Sequence, residues 1–258
     1  MNYICAECSN EQDAMNRSCD ACGSIRVITK EVSAQFKKPV LRLFSSGGGK
    51  QSIAALVLSA QGVIDYPVHL FCNVGDDSEH PDTLRYVEDY AKPYAVANGI
   101  EFIELAPIYS GGKTLYQRLT TGNTLDIPMY FEGAALASRA CTKHYKIMRV
   151  AKEAKSRGAT ADNPAIIGLG ISLDEYQRMH TDNPEKHIRR EYPLIDLRLS
   201  RQRCVEIIQH AGLPVPPKSS CWFCPFGSTH RWRKLKEDHP DLFDQAVEIE
   251  ALNNGRRA

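Results

Sequence analysis

Two groups of residues in this chain have types and spacings suited to chemistry: a glycine-rich octapeptide and a set of nine cysteines. The octapeptide, Ser45-Ser-Gly-Gly-Gly-Lys-Gln-Ser52, lies between an apolar run at 40–44 and a helical pattern at 51–60. Strand, glycine loop and helix N-terminus together favour phosphate. Gly47, Gly48 and Gly49 let the backbone approach an anion, and the helix start adds N–H groups and partial positive charge. Lys50 and the hydroxyls of Ser46 and Ser52 add donors. A ligand-free strand–helix turn is the alternative, and it makes poor use of three consecutive glycines. The loop is not a Walker loop, because G-x4-G-K-[ST] is absent.

Cys5-x2-Cys8 and Cys19-x2-Cys22 have the spacing of a zinc ribbon, in which four thiolates close a tetrahedral Zn²⁺ site. So short a segment has little core of its own, so the metal would supply its stability. Rubredoxin-like iron or two disulfides are the other occupants that this spacing admits. Of the remaining cysteines, Cys221 and Cys224 flank Trp-Phe, while Cys141 and Cys204 stand alone in sequence. Cys72, inside an apolar strand pattern, reads as a core residue.

The elements that must position these residues alternate. Strand patterns fall at 40–44, 68–74, 101–105 and 165–168, with helical patterns at 51–60, 81–98 and 143–157. Pro81 suits a first helical turn, and Pro93 should kink or shorten the same helix. The alternation predicts a parallel sheet with helices on both faces. From about residue 192 helices dominate, at 199–211, 229–237 and 241–252, and a proline-rich stretch leads into the Cys221/Cys224 pair. The organisation expected is a zinc ribbon at 1–30, a nucleotide-binding α/β domain at 38–190 and a helical region at 191–258.

Composition narrows the class. Hydrophobic residues make up 43% and charged residues 24% of 258, as in an ordinary folded protein. Lysine plus arginine number 32 against 31 acids, which gives no global electrostatic case for nucleic acid. No secretory signal is visible and the longest apolar run is too short for a bilayer. The expectation is a cytoplasmic protein without membrane contact, in which cysteines serve metals or redox chemistry more than structural disulfides.

The octapeptide resembles the PP-loop of the adenine-nucleotide α-hydrolase superfamily, whose usual form is Ser-Gly-Gly-x-Asp-Ser. This superfamily includes the phosphoadenosine-phosphosulfate (PAPS) reductases, the tRNA-thiolating enzymes and the ATPase subunit of DNA phosphorothioation systems. Aligned on Ser52, Gly47 replaces the first serine and Gln51 the aspartate. A carboxylate helps to hold Mg²⁺ and an amide does so poorly. Further segments resemble PAPS reductases in the expected order: Gly75 to Thr83, Cys141 to Ile147, Gly170 to Met179, Tyr192 to Leu194, and Pro216 to Pro225. The last three look like the PAPS-reductase-like proteins of phages and mobile elements. The resemblance covers about residues 40–250.

The resemblance implies that residues 46–52, together with Gly168, Gly170 and Ile171, hold ATP or a related adenine nucleotide, with Mg²⁺ as an accompanying ion. It also implies that Cys141, Cys221 and Cys224 meet beside that nucleotide. Cys204, on the helix leading into this segment, is then the natural fourth ligand of a [4Fe–4S] cluster. A second zinc is the alternative occupant. Cys204 could equally be a core residue, which would leave one iron open. Lys50, Asp174 and Glu175 are the candidate catalytic residues, although Asp174, Glu175 and Arg178 also read as a surface helix cap. Asp76, Asp77 and Glu79 suit Mg²⁺ or ribose, or else form a solvated acidic turn. Lys143 and Lys146 suit phosphate, or a helix's wet face. The run from His230 to Lys236 suits a nucleic-acid backbone, or a solvated amphipathic helix.

Three functions follow from these expectations. The first is sulfur transfer in nucleic-acid modification, with tRNA or DNA as acceptor. The second is reduction of PAPS or its unphosphorylated relative; it is weakened by a tail without cysteine and by an unpaired Cys141. The third is a non-catalytic nucleotide-sensing module, which the departure at Gln51 favours. A homodimer is compatible with each.

Overall fold

Leu43 and Phe44 are neighbours on one strand, both fully buried, in two different cores. Successive side chains of a strand point to opposite faces, so this pair marks a sheet covered on both sides. The computed structural model describes residues 3–5, 11–12, 27–29, 40–122, 126–129, 139–180 and 185–255. It divides into two units, Met1–Val40 and Leu41–Ala258.

In the first unit β1 (Tyr3–Cys5) pairs antiparallel with β2 (Glu11–Gln12) and with β3 (Val27–Thr29). Cys5 ends β1. Cys8, Cys19 and Cys22 lie outside the described residues, and the zinc-ribbon expectation lies there with them.

In the second unit β4 (Arg42–Ser46), β5 (Val68–Cys72), β6 (Glu101–Leu105), β7 (Ala165–Leu169) and β8 (Ile188–Glu191) form a sheet of order β6-β5-β4-β7-β8. Every pairing is parallel. The chain steps from β4 through β5 to β6 on one side, then crosses to β7 and β8 on the other. The switch point therefore lies between the carboxyl ends of β4 and β7, where open α/β sheets hold ligands. This is the parallel sheet with helices on both faces that the alternation of elements predicts.

On one face lies helix α1 (Lys50–Ala60), in which every residue from Ser52 to Ser59 is buried. Its Ile53, Ala54 and Leu56 share a core with Phe44, Tyr66 and Ala95. A run made of α2 (Pro81–Tyr86), a π turn (Val87–Ala91) and α3 (Lys92–Ala97) completes that face. Pro93 does not end this run. The turn before it widens so that the Lys92 N–H reaches Val87 O five residues back, which accommodates the ring locally. On the other face α5 (Met148–Ser156) buries Val150, Ala151 and Ala154 against Leu43, Val68 and Leu70.

β8 had no counterpart among the expected strands. It is an edge strand of sequence Ile-Arg-Arg-Glu with one buried residue, Ile188. It is anchored at Glu191, whose carboxylate accepts from Arg42 and from the Tyr66 hydroxyl at 2.6 and 2.7 Å.

A third core gathers α4 (Leu115–Thr121), the Cys221–Cys224 segment, α8 (Thr229–Asp238) and α9 (Pro240–Gly255) around Trp222, Phe223 and Tyr145. Between β8 and that core come α6 (Pro193–Asp196) and α7 (Arg201–His210), the latter packed on α1. Among the described residues no helix is long and apolar enough to cross a membrane.

Candidate functional site

The glycine loop stands at the switch point. Gly48 has φ +71°, in the left-handed region that glycine tolerates. A Cβ there would come within 3.1 Å of Thr83 Cγ2 and 3.3 Å of Val87 Cγ2. Gly49 is the N-cap of α1 and offers no side chain to cap it, which leaves first-turn N–H groups for a ligand. The Ser52 hydroxyl accepts from Gly47 N–H at 2.9 Å and closes the loop on itself.

Several groups around the loop lack partners. Among the described residues no carboxylate pairs with Lys50. The Ser46 hydroxyl is buried without a hydrogen-bond partner, and so are those of Thr83, against Gly48, and Ser220. Buried hydroxyls are normally satisfied, so orphans beside a glycine loop and an unpaired lysine suit an anionic ligand.

Residues 170–178 form the opposite wall. A Cβ on Gly170 would lie 3.5 Å from Gln51 Cβ and from Ser52 N, an ordinary contact that places residue 170 against the loop. Gly168 lies deeper, inside β7. A Cβ there would meet Phe44 and Tyr66 at 2.7 Å, so packing alone accounts for this glycine. Ile171 is buried.

Gln51 donates its amide to Glu175 at 3.1 Å and to Ser172 at 3.4 Å. Glu175 also pairs with Arg178 at 3.0 Å and with Arg201 at 2.9 Å. Asp174 accepts from the backbone N–H of Arg201, the first residue of α7. Glu175 thus reaches the loop through Gln51, and both acids anchor the start of α7.

The thiols are held from three sides. Cys141 enters a π turn, Thr142–Ile147, and its N–H donates to Asp126 O at 2.6 Å. Cys221 forms an antiparallel bridge with Glu79. Trp222 fixes the segment through its N–H to Ser78 O at 3.3 Å and its indole N–H to Asp77 O at 2.8 Å. Arg231, on α8, donates to Cys221 O. Glu79 is 1% exposed, with Lys146 Nζ 3.9 Å from its Oε1 and no partner on Oε2. Burial pushes its carboxyl above the usual range, offset in part by Lys146 and Arg231.

Cys141, Cys221 and Cys224 all feel one another's charge, and burial raises the first two thiols, Cys221 strongly. Two cations, Lys146 and Arg231, act on the same sulfurs. Half-buried thiols with aromatic walls and compensating cations fit a polynuclear, negatively charged iron–sulfur group. A single Zn²⁺ held by the same thiols is the alternative occupant.

Cys204 is not brought to them. It is fully buried in the core between α7 and α1, and the charged neighbours acting on it are Asp174 and Arg201. The expected fourth thiolate is thereby corrected: Cys204 and Ile208 form the inward stripe of α7.

Other expected residues disperse. Asp76 accepts from Asn73 at 2.6 Å and lines an acidic recess of about 510 Å³ with Glu88, Asp89 and Glu104, a poor place for phosphate. Asp77 accepts from Ser78 and Thr114, both at 2.8 Å. Lys143 is exposed. From His230 to Lys236 the helix divides, with Arg231 and Leu235 inward and Arg233, Lys234 and Lys236 exposed. Sequence reasoning did not single out Ser219, whose hydroxyl donates to Gly47 O; its place two residues before Cys221 was the available signal.

Sheet order and loop position define the class of this protein as a parallel α/β fold with a glycine loop at its switch point. No protein-family model and no curated protein matches it. Among solved structures it is similar to the U34-tRNA thiolase NcsA from Methanococcus maripaludis with its [4Fe–4S] cluster, at 15% identity and a TM-score of 0.42, over 93% of this chain and 88% of that one. It is also similar to phosphoadenylyl-sulfate reductase from Candida auris in its phosphate complex, at 14% identity and a TM-score of 0.45, over 72% and 79%. At these values the likeness concerns the course of the chain and not its chemistry.

Proposed function

We propose that this chain is a PP-loop enzyme that binds ATP or a related adenine nucleotide at residues 46–52 and carries out sulfur transfer, with nucleic acid as acceptor. In this reading Cys141, Cys221 and Cys224 hold a [4Fe–4S] cluster. The observation that carries it is the contact of Ser219 with Gly47. It joins the phosphate loop to the thiol segment, so a bound nucleotide and a bound cluster would be neighbours.

Lys50, Ser46 and the start of α1 bind phosphate, with Gly170 in contact beside Gln51. Glu175, held by Gln51, brings a carboxylate to the loop where Gln51 itself offers none. Lys146 and Arg231 balance the charge of the thiolates, and Trp222 and Phe223 exclude water. Cys141, Cys221 and Cys224 would hold the cluster, which would supply iron for binding sulfur. The exposed cations Arg233, Lys234 and Lys236 lie on the same helix as Arg231 and offer a face to an acceptor's phosphates.

The test is product analysis under anaerobic conditions with ATP and Mg²⁺. AMP and pyrophosphate are expected, with loss in Lys50→Ala. Sulfite released from PAPS would replace this reading with sulfonucleotide reduction. Neither product, with ATP still bound, would make the chain a nucleotide sensor.

A further inference from the structure

His80, Asp82 and His239 bring two imidazoles and a carboxylate to one point, away from the thiols in chemistry and independent of the function proposed above. His80 Nδ1 lies 3.7 Å from Asp82 Oδ2, and His239 Nε2 lies 4.0 Å from Asp82 Oδ1. One ligand atom from each residue falls within 4.8 Å of the others. The two rings stand nearly perpendicular, centroids 5.5 Å apart. All three side chains are partly buried, at 14%, 34% and 25% exposure, so they are screened from water yet open to an ion.

Their backbones are already fixed. His80 is the N-cap of α2, with Asp82 in its first turn. His239 stands at the corner between α8 and α9, its N–H donating to Leu235 O at 2.8 Å and its carbonyl accepting from Phe243 N–H at 3.1 Å. Ligand atoms roughly 2.0–2.1 Å from a tetrahedral ion are about 3.3 Å apart. The three ligand atoms, within 4.8 Å of one another, would draw together by up to about 1.5 Å, which side-chain rotation supplies. An ion would compete with Arg85, 3.7 Å from Asp82 in an exposed position, with the Asp82 N–H that His80 Nδ1 accepts at 3.3 Å as the cap of α2, and with the positive charge of Arg231 acting on His80.

We propose that His80, Asp82 and His239 bind one divalent transition-metal ion such as zinc. Two neutral imidazoles and one carboxylate are a nitrogen–oxygen set that leaves coordination positions open. The ion would tie the start of α2 to the α8–α9 corner. The backbone N–H of His80 donates to Ser220 O at 3.3 Å, and Glu79 bridges to Cys221, so the tie would stiffen the segment that carries the thiols.

Cobalt(II) titration of the full chain tests this, because sulfur-bound cobalt shows intense charge-transfer absorption and nitrogen–oxygen-bound cobalt shows only weak visible bands. The wild type is expected to take up one equivalent of the second kind. Asp82→Asn and His239→Gln should each lose that equivalent and keep the sulfur-type absorption. Zinc should raise the melting temperature of the wild type more than that of either variant. A wild type without the nitrogen–oxygen component would overturn the proposal, as would a component that persists in both folded variants.

Discussion

Gln51 donates its side-chain amide to the carboxylate of Glu175 at 3.1 Å, across 124 residues of sequence. The contact ties the first turn of α1 to the segment after β7, across the switch point of the sheet. It also gives Gln51 a structural reason. An aspartate at 51, the usual residue of the motif it resembles, would face Glu175 with a second negative charge.

Gln51→Asp is therefore expected to lower stability by about 1.5–3 kcal/mol, the scale of a lost hydrogen bond to a charged group. Adding Glu175→Gln should recover part of that loss. Denaturant unfolding of the two single variants and the double variant checks this; a purely additive cycle would contradict the coupling.

The loop's backbone makes a sharper demand. Gly48→Ala places a Cβ at φ +71° and against Thr83 and Val87. Gly62 shares the positive φ, at +69°, with nothing within 4 Å. Gly62→Ala should cost about 1–2 kcal/mol from backbone strain alone, and Gly48→Ala more. A similar loss in ATP binding, near 1.4 kcal/mol, is roughly tenfold in Kd. Calorimetric titration reads it, and unchanged ATP affinity in Gly48→Ala would count against the loop as the phosphate site.

Acid should act through a residue the chemistry does not use. His69 is fully buried, stacked on Phe44 at 4.9 Å and bonded through Nε2 to the Ser59 hydroxyl at 3.0 Å. Burial pushes its pKa down to about 3. The unfolded chain takes up a proton near the ordinary histidine value, while the folded chain stays neutral, so stability falls as pH drops below that value. The slope attributable to this group approaches about 1.4 kcal/mol per pH unit. Unfolding midpoints between pH 7 and 5 should fall less steeply in His69→Gln than in the wild type.

Much of the sheet was legible because buried strands are apolar runs: the expected strands at 40–44, 68–74, 101–105 and 165–168 all correspond to observed ones. β8 was not: β6 is also an edge strand with one buried residue, but its Phe102-Ile103 pair marks it, whereas Ile-Arg-Arg-Glu has a single apolar residue and is held by Arg42 and Tyr66 from elsewhere. Pro93 signalled a disturbance of its helix, which takes the form of the π turn at Val87–Ala91, whereas no proline marks the one at Thr142–Ile147. At the site, the loop and the Cys-x2-Cys pair were visible by spacing. Arg231 and Glu79 were not singled out as thiol neighbours, because only folding brings charges from different segments to those sulfurs. Cys204 misled because chain proximity stood in for direction; its i+4 spacing to Ile208 was the signal of a core stripe.

Replacing Cys204 separates these roles. Cys204→Ala should cost about 1 kcal/mol, the typical scale for a single substitution, and leave iron content unchanged. Cys141→Ala should lower iron content. Equal iron loss in both variants would return Cys204 to the ligand set.

The central claim is that three thiols beside the glycine loop hold an iron–sulfur cluster. Iron and acid-labile sulfide, measured with the visible spectrum on anaerobically purified wild type and Cys221→Ala, test it most directly. The account predicts a brown wild type with iron and sulfide in equal amounts, and a colourless variant. A colourless wild type carrying zinc alone would contradict it.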